Sequence, residues 1–162
     1  MAYHCIMEPN SALVLLFLCK ADRKKDKLVK KRHPTKIPMI SIVDDDVSLV
    51  EATVSLVESV GYIAEGFRSA EDFLKAPQLP NTDCLILDIR MPSMDGFELQ
   101  RWLAAENHRI PVIFVTSYDT EDAKTQAREA GAVAFLCKPF SQDSLLQAVR
   151  SALVSVESED KN

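Results

Sequence analysis

From Pro38 onward the sequence repeats one alternation five times: a mostly apolar run of four or five residues, then a stretch whose apolar residues recur at helical spacing. A chain patterned this way folds as a parallel sheet wound with helices, because parallel neighbours need a crossover long enough to hold a helix. The strands read as Met39 to Val43, Tyr62 to Gly66, Cys84 to Asp88, Val112 to Thr116 and Ala134 to Cys137. The third, CLILD, is almost continuously apolar, which puts it at the centre of the sheet with helices on both faces. The second is the least apolar and belongs near an edge.

The intervening helices have readable faces and ends. Val47, Val50, Val54, Val57 and Val60 make one stripe, closed by Gly61. Ser69 with Asp72 resembles a capping box for a short helix, Ala70 to Lys75. After Asp95 and Gly96, the residues Phe97, Leu99, Trp102, Leu103 and Ala104 supply a buried stripe. A fourth helix runs from about Glu121 to Ala130, and Ser141 caps a last one ending near Leu153, ahead of an acidic tail.

Composition matters mainly through its asymmetry. Residues 1–37 carry nine Lys or Arg against three Asp or Glu, a net +6, while the remainder carries ten against twenty-one, a net −11. The acidic body is a poor nucleic-acid partner, so any such role falls to the basic extension. The apolar run Ala12 to Cys19 is too short to span a membrane, which takes about 20 residues, and no basic residue precedes it as in a secretory signal. Cys5, Cys19, Cys84 and Cys137 form no CxxC pair, which points to reduced thiols in the cytoplasm rather than to zinc or a disulfide framework. None of His4, His33 and His108 stands where a catalytic base is needed.

In a doubly wound parallel sheet, ligands bind beyond the carboxyl ends of the strands. Here strand one ends in Asp44, Asp45 and Asp46, strand three in Asp88, strand four in Thr116 and Ser117, and strand five in Lys138 and Pro139. Singly, each has a structural reading: helix capping for the aspartates, turn formation for Thr116 and Ser117, a solvated lysine at a loop boundary. Jointly they bring carboxylates, a hydroxyl and an ammonium to one edge. Crowded carboxylates demand a cation, and Mg²⁺ takes one or two of them, keeps several waters and bridges to phosphate oxygens. The set reads as a phosphoryl-transfer centre in which a carboxylate serves as nucleophile.

At these residues the sequence closely resembles the receiver domain of two-component response regulators. IVDDD, LILDIRMPSMDGFEL, PVIFVTS and GAVAFLCKPF occur in the family's order and spacing between about Pro38 and Leu153. The PSMDGFEL loop and the FVTS step resemble the branch found in nitrogen-fixation type transcription regulators. The resemblance implies a flavodoxin-like (βα)5 fold with strand order 2-1-3-4-5, within a receiver spanning residues 38–155, preceded by the extension 1–37 and followed by a tail, 156–162. It makes Asp88 the phosphoacceptor, with Mg²⁺ (or Mn²⁺) held by Asp44, Asp45, Asp88 and the backbone carbonyl of Arg90. It also makes Thr116 the switch hydroxyl, Phe135 the switch aromatic and Lys138 the lysine that neutralises the phosphoryl group, with a cis peptide at Lys138–Pro139. Implied partners are a histidine kinase or a histidine phosphotransfer protein. Phosphorylation would alter the face of helix four, strand five and helix five, for a target or a homodimer.

Two other classes are compatible with parts of the chain. A haloacid-dehalogenase type phosphatase also uses a strand-end Asp, but needs a second one two residues on, where Arg90 stands. A nucleic-acid or membrane-surface adaptor would act through residues 20 to 36. No helix-turn-helix pattern follows Leu153, which implies either a stand-alone receiver or one separated from its output domain.

Overall fold

The fold comes from a computed structural model, which describes residues 36–159, with side chains to residue 154. The elements are β1 (Met39–Val43), α1 (Val47–Ser59), β2 (Ile63–Phe67), α2 (Ala70–Leu74), β3 (Cys84–Asp88), α3 (Gly96–Ala105), β4 (Val112–Thr116), α4 (Glu121–Glu129), β5 (Ala134–Cys137) and α5 (Gln142–Glu159), with a single 3₁₀ turn at Leu79–Asn81. The five strands are all parallel in the order β2-β1-β3-β4-β5, so β3 is central and β2 is an edge, the flavodoxin-like arrangement.

Strand alternation divides the core in two. Ile40, Ile42, Ile86, Ile113 and Val115 face Val50 and Val57 of α1 and Leu145, Val149 and Ala152 of α5. Val43, Leu85, Leu87 and Phe114 face the other way, against Phe73 of α2, Phe97, Leu99 and Leu103 of α3 and Ala127 of α4. Each Val, Leu, Ile or Phe side chain there removes enough apolar surface to contribute about 1.5–3 kcal/mol. Phe97 and Phe114 meet at 4.8 Å between ring centroids, fixing α3 over the centre of the sheet.

Capping sets where the helices begin. Asp46 accepts hydrogen bonds from the Ser48 and Leu49 amides at the start of α1. Asp95 and Glu98 form a reciprocal capping box at α3. Ser69 accepts from the Asp72 amide at 3.1 Å, and Ser141 from the Ser144 amide at 3.1 Å.

Several sequence expectations shift. β2 lies one residue later than read, and α5 continues past Leu153 to Glu159. Val47 and Val60 are exposed at the two ends of the α1 stripe, while Thr53 is buried within it. Trp102 and Ala104 also turn outward, leaving Phe97, Leu99 and Leu103 as the inner face of α3. Helical spacing identifies a face, but burial requires an opposing element, and none covers these positions. Among the described residues, no helix is long and apolar enough to cross a membrane.

Candidate functional site

Because every strand runs the same way, all five carboxyl ends open on one edge, and register decides which residues meet there. β1 delivers Asp44 directly after Val43, and the Asp44 amide donates to the Phe67 carbonyl at 3.1 Å. β3 delivers Asp88 level with Val115 of β4, and Thr116 is level with Cys137 of β5. The Lys138 amide donates to the Thr116 carbonyl at 2.7 Å, which holds the lysine against the end of β4.

Alternation then sorts the aspartates. Asp44 is 1% and Asp88 3% exposed, while Asp45 is open to solvent. Carboxylate oxygens of Asp44, Asp45 and Asp88 lie within 4.8 Å of one another. Lys138 Nζ donates to Asp44 Oδ2 at 2.6 Å and lies 3.1 Å from Asp88 Oδ1. The contact with Asp88 is close enough for ion pairing but is not directed as a hydrogen bond, so Oδ1 is buried without a hydrogen-bond partner. Asp44 Oδ1 meanwhile accepts from the Asp46 amide at 2.9 Å.

These contacts set the charge states. Burial pushes the Asp88 carboxyl up from 3.8 to about 6; Lys138 opposes the rise, and the charges of Asp44 and Asp45 add to it. Burial works against the Lys138 ammonium as well, but its hydrogen bond to Asp44, its close contact with Asp88 and the charges of both outweigh this and hold it above its ordinary value. A single lysine thus leaves three carboxylates undercompensated. Hard oxygen donors, two sheltered and one solvent-facing, with an unpartnered buried oxygen among them, fit a hydrated divalent ion such as Mg²⁺.

The remaining sequence candidates take up different stations. Thr116 is fully buried, and its Oγ1 accepts from the Tyr118 amide at 3.1 Å. The Lys138–Pro139 peptide is cis. Arg90 is exposed two residues past Asp88, its guanidinium 5.0 Å from the centre of the Tyr118 ring. Phe135 lies back from the edge, half-buried on β5, where it lines a groove of about 280 Å³ with Lys124, Ala127 and Arg128 of α4. A second groove, of about 380 Å³, opens beside Lys138 and is lined by Asp46, Leu49, Ser117, Pro139 and Phe140.

One supporting residue had no chemical signature in the sequence. The Gly96 amide donates to the Ile89 carbonyl at 3.0 Å, and a Cβ at Gly96 would overlap the backbone carbonyl oxygen of Asp88. The absent side chain lets α3 start directly against the end of β3. The Asp-Gly step before an apolar helix was the available signal.

Comparison with known proteins gives a consistent outcome. The family model for the response regulator receiver domain matches residues 40–150. The response regulator protein TodT of Pseudomonas putida is 41% identical over 115 residues, covering 71% of this chain and 51% of TodT. The transcriptional regulatory protein FixJ of Bradyrhizobium diazoefficiens is 32% identical over 118 residues, covering 73% of this chain and 58% of FixJ. A CheY-like receiver domain from Methanospirillum hungatei superposes with a TM-score of 0.69 at 28% identity, covering 76% of this chain and 99% of that one. The chain spans about half the length of the curated relatives it matches.

Proposed function

This chain belongs to the response regulator receiver domain family, and we propose that it takes a phosphoryl group onto Asp88 from the phosphohistidine of a kinase or phosphotransfer protein. Phosphorylation on aspartate and Mg²⁺ at an acidic pocket are general features of that family. The observation that carries the reading is the state of Asp88: buried at the end of the central strand, its Oδ1 without a hydrogen-bond partner, 3.1 Å from Lys138 Nζ and grouped with Asp44 and Asp45.

In the transfer, an Asp88 oxygen bonds to phosphorus as the phosphorus–nitrogen bond of the donor breaks, and the imidazole leaves with the electron pair. Asp44, Asp45, Asp88 and the Arg90 carbonyl are the groups that would hold Mg²⁺ (or Mn²⁺). Bound there, the ion supplies charge neutralisation for the transferring group. Lys138 contributes a second, fixed positive charge, already held within reach by Asp44. The groove beside Lys138 gives the donor an approach.

The product carries about one further negative charge and three strong acceptor oxygens on Asp88. The Thr116 hydroxyl, whose oxygen accepts from Tyr118 while its proton is uncommitted to that bond, turns to donate to a phosphoryl oxygen. Space vacated on that side admits the half-buried Phe135, and the α4, β5 and α5 face changes for a target or a second copy. The functional unit is residues 38–155. It acts in the cytoplasm as a signalling acceptor rather than as an enzyme, and its acidic body does not itself bind nucleic acid. The basic segment 20–36 lies almost wholly outside the described residues, so the adaptor reading rests on composition alone.

The test is incubation with acetyl phosphate and Mg²⁺ followed by intact mass. One hydroxylamine-labile phosphoryl group is expected on the wild type and none on Asp88→Asn. An adduct that persists in Asp88→Asn overturns the assignment.

A further inference from the structure

A groove of about 550 Å³ runs between α3 and α4 and shares no residue with the phosphoryl-transfer site. Phe97, Ala104 and Ala130 give it an apolar lining. Its two walls are tied together, because Gln100 Nε2 of α3 donates to the carbonyl of Ala130, the residue that caps the end of α4, at 2.8 Å. The groove is therefore formed before anything enters it.

Helical spacing separates this flank of α4 from the one beside β5. Lys124, Ala127 and Arg128 line the groove next to Phe135, whereas Glu129 and Ala130 line the one toward α3. On opposite walls of the α3–α4 groove stand one cation and one anion, Arg101 of α3 and Glu129 of α4. Both are exposed, and neither has an ion-pair partner among the described residues.

That pattern limits the occupant. A uniformly acidic or basic partner meets a like charge on one wall. A second copy related by a twofold axis does not, since such a contact is reciprocal and Arg101 of each copy meets Glu129 of the other. With ten basic against twenty-one acidic residues after residue 37, two copies repel over most of their surfaces, and a contact between them needs a patch whose exposed charges cancel. We infer that the α3–α4 groove is a self-association surface, in which the arginine of each copy lies across the groove of the other. The aliphatic stem of Arg101 covers the apolar lining there, and its guanidinium reaches the Glu129 carboxylate. The contact is small and its charges are at the rim, so the expected dissociation constant is on the order of 0.1 mM.

The test is sedimentation velocity of the full chain, unphosphorylated and with chelator, from about 0.01 to about 0.5 mM, a range that brackets that constant. The wild type should pass from monomer toward dimer across it. Arg101→Glu and Glu129→Arg each set like charges against one another twice per dimer, and each should weaken association at least about tenfold. An equimolar mixture of the two variants should associate about as tightly as the wild type, because both contacts in the mixed dimer again join opposite charges. Recovery in the mixture also shows that each variant is folded. A wild type that stays monomeric at the highest concentration overturns the inference, as do single variants that associate like the wild type or a mixture no tighter than its components. Association lost in Lys124→Glu but kept in Arg101→Glu assigns the contact to the β5 side of α4 and overturns it as well.

Discussion

Lys138 and Asp44, 94 positions apart in sequence, are joined by a hydrogen bond of 2.6 Å between Nζ and Oδ2. The side chains are 17% and 2% exposed, so this ion pair is sheltered from the water that makes surface pairs weak. The same ammonium lies 3.1 Å from Asp88 Oδ1, and it is the cation that makes two adjacent buried carboxylates tolerable.

Replacing Lys138 with Met removes that cation and leaves Asp44 and Asp88 facing each other. The expected cost is about 3 kcal/mol in urea denaturation at pH 7.5, with chelator present. It should shrink at pH 5, where protonation relieves the repulsion. A variant as stable as wild type at pH 7.5 contradicts the pairing.

Asp88 gives a pH dependence of defined sign. Burial, with the charges of Asp44 and Asp45, raises its carboxyl to about 6 from 3.8, so between these values the native state binds more protons than the unfolded one. Its contribution therefore opposes folding fully above about pH 6 and disappears as the pH falls through 3.8. In metal-free buffer, Asp88→Asn should stabilise the protein by roughly 2–3 kcal/mol at pH 7.5 and by almost nothing at pH 4. A difference independent of pH is the contrary result.

Metal binding can be tested without phosphorylation. Asp45 is exposed and lies within 4.8 Å of Asp44 and Asp88, so Asp45→Asn removes a candidate ligand with little damage to the core. Mg²⁺ at a hundred times its dissociation constant should stabilise the wild type by about 2.7 kcal/mol, seen as a rise in the thermal midpoint. The same concentration should move Asp45→Asn much less. Equal shifts in both would place the ion elsewhere.

Gly96 is predicted to be intolerant for a backbone reason. A methyl group there meets the Asp88 carbonyl oxygen and the Ile89 backbone, neither of which can rotate away. Gly96→Ala should cost about 1–3 kcal/mol and slow labelling of Asp88 by acetyl phosphate, read together by urea denaturation and mass spectrometry. Wild-type stability would show that α3 does not need this approach.

Much of the architecture was legible because its signals are local. The strand-end residues Asp44, Asp88, Thr116 and Lys138 could be read from the alternation, since parallel strands put every carboxyl end on one edge. The Asp95–Glu98 capping box was equally local, in the spacing D-x-x-E, yet went unread. Trp102 and Val60 misled for the opposite reason: their spacing is right, but exposure depends on which elements lie opposite. The contact between Arg90 and Tyr118 gave no signal at all, because it depends on two loops that meet only in space.

The amino-acid sequence by itself determined the alternation, the parallel sheet and the chemical character of the residues at each strand end, because those follow from periods of two and 3.6 and from turn chemistry. Only the tertiary structure decided which carboxylates are buried, which one Lys138 bonds, and that Asp88 is the carboxyl burial raises, to about 6. Desolvation and Coulomb interaction depend on distance and burial in space, and these are set by strands and helices far apart in the chain.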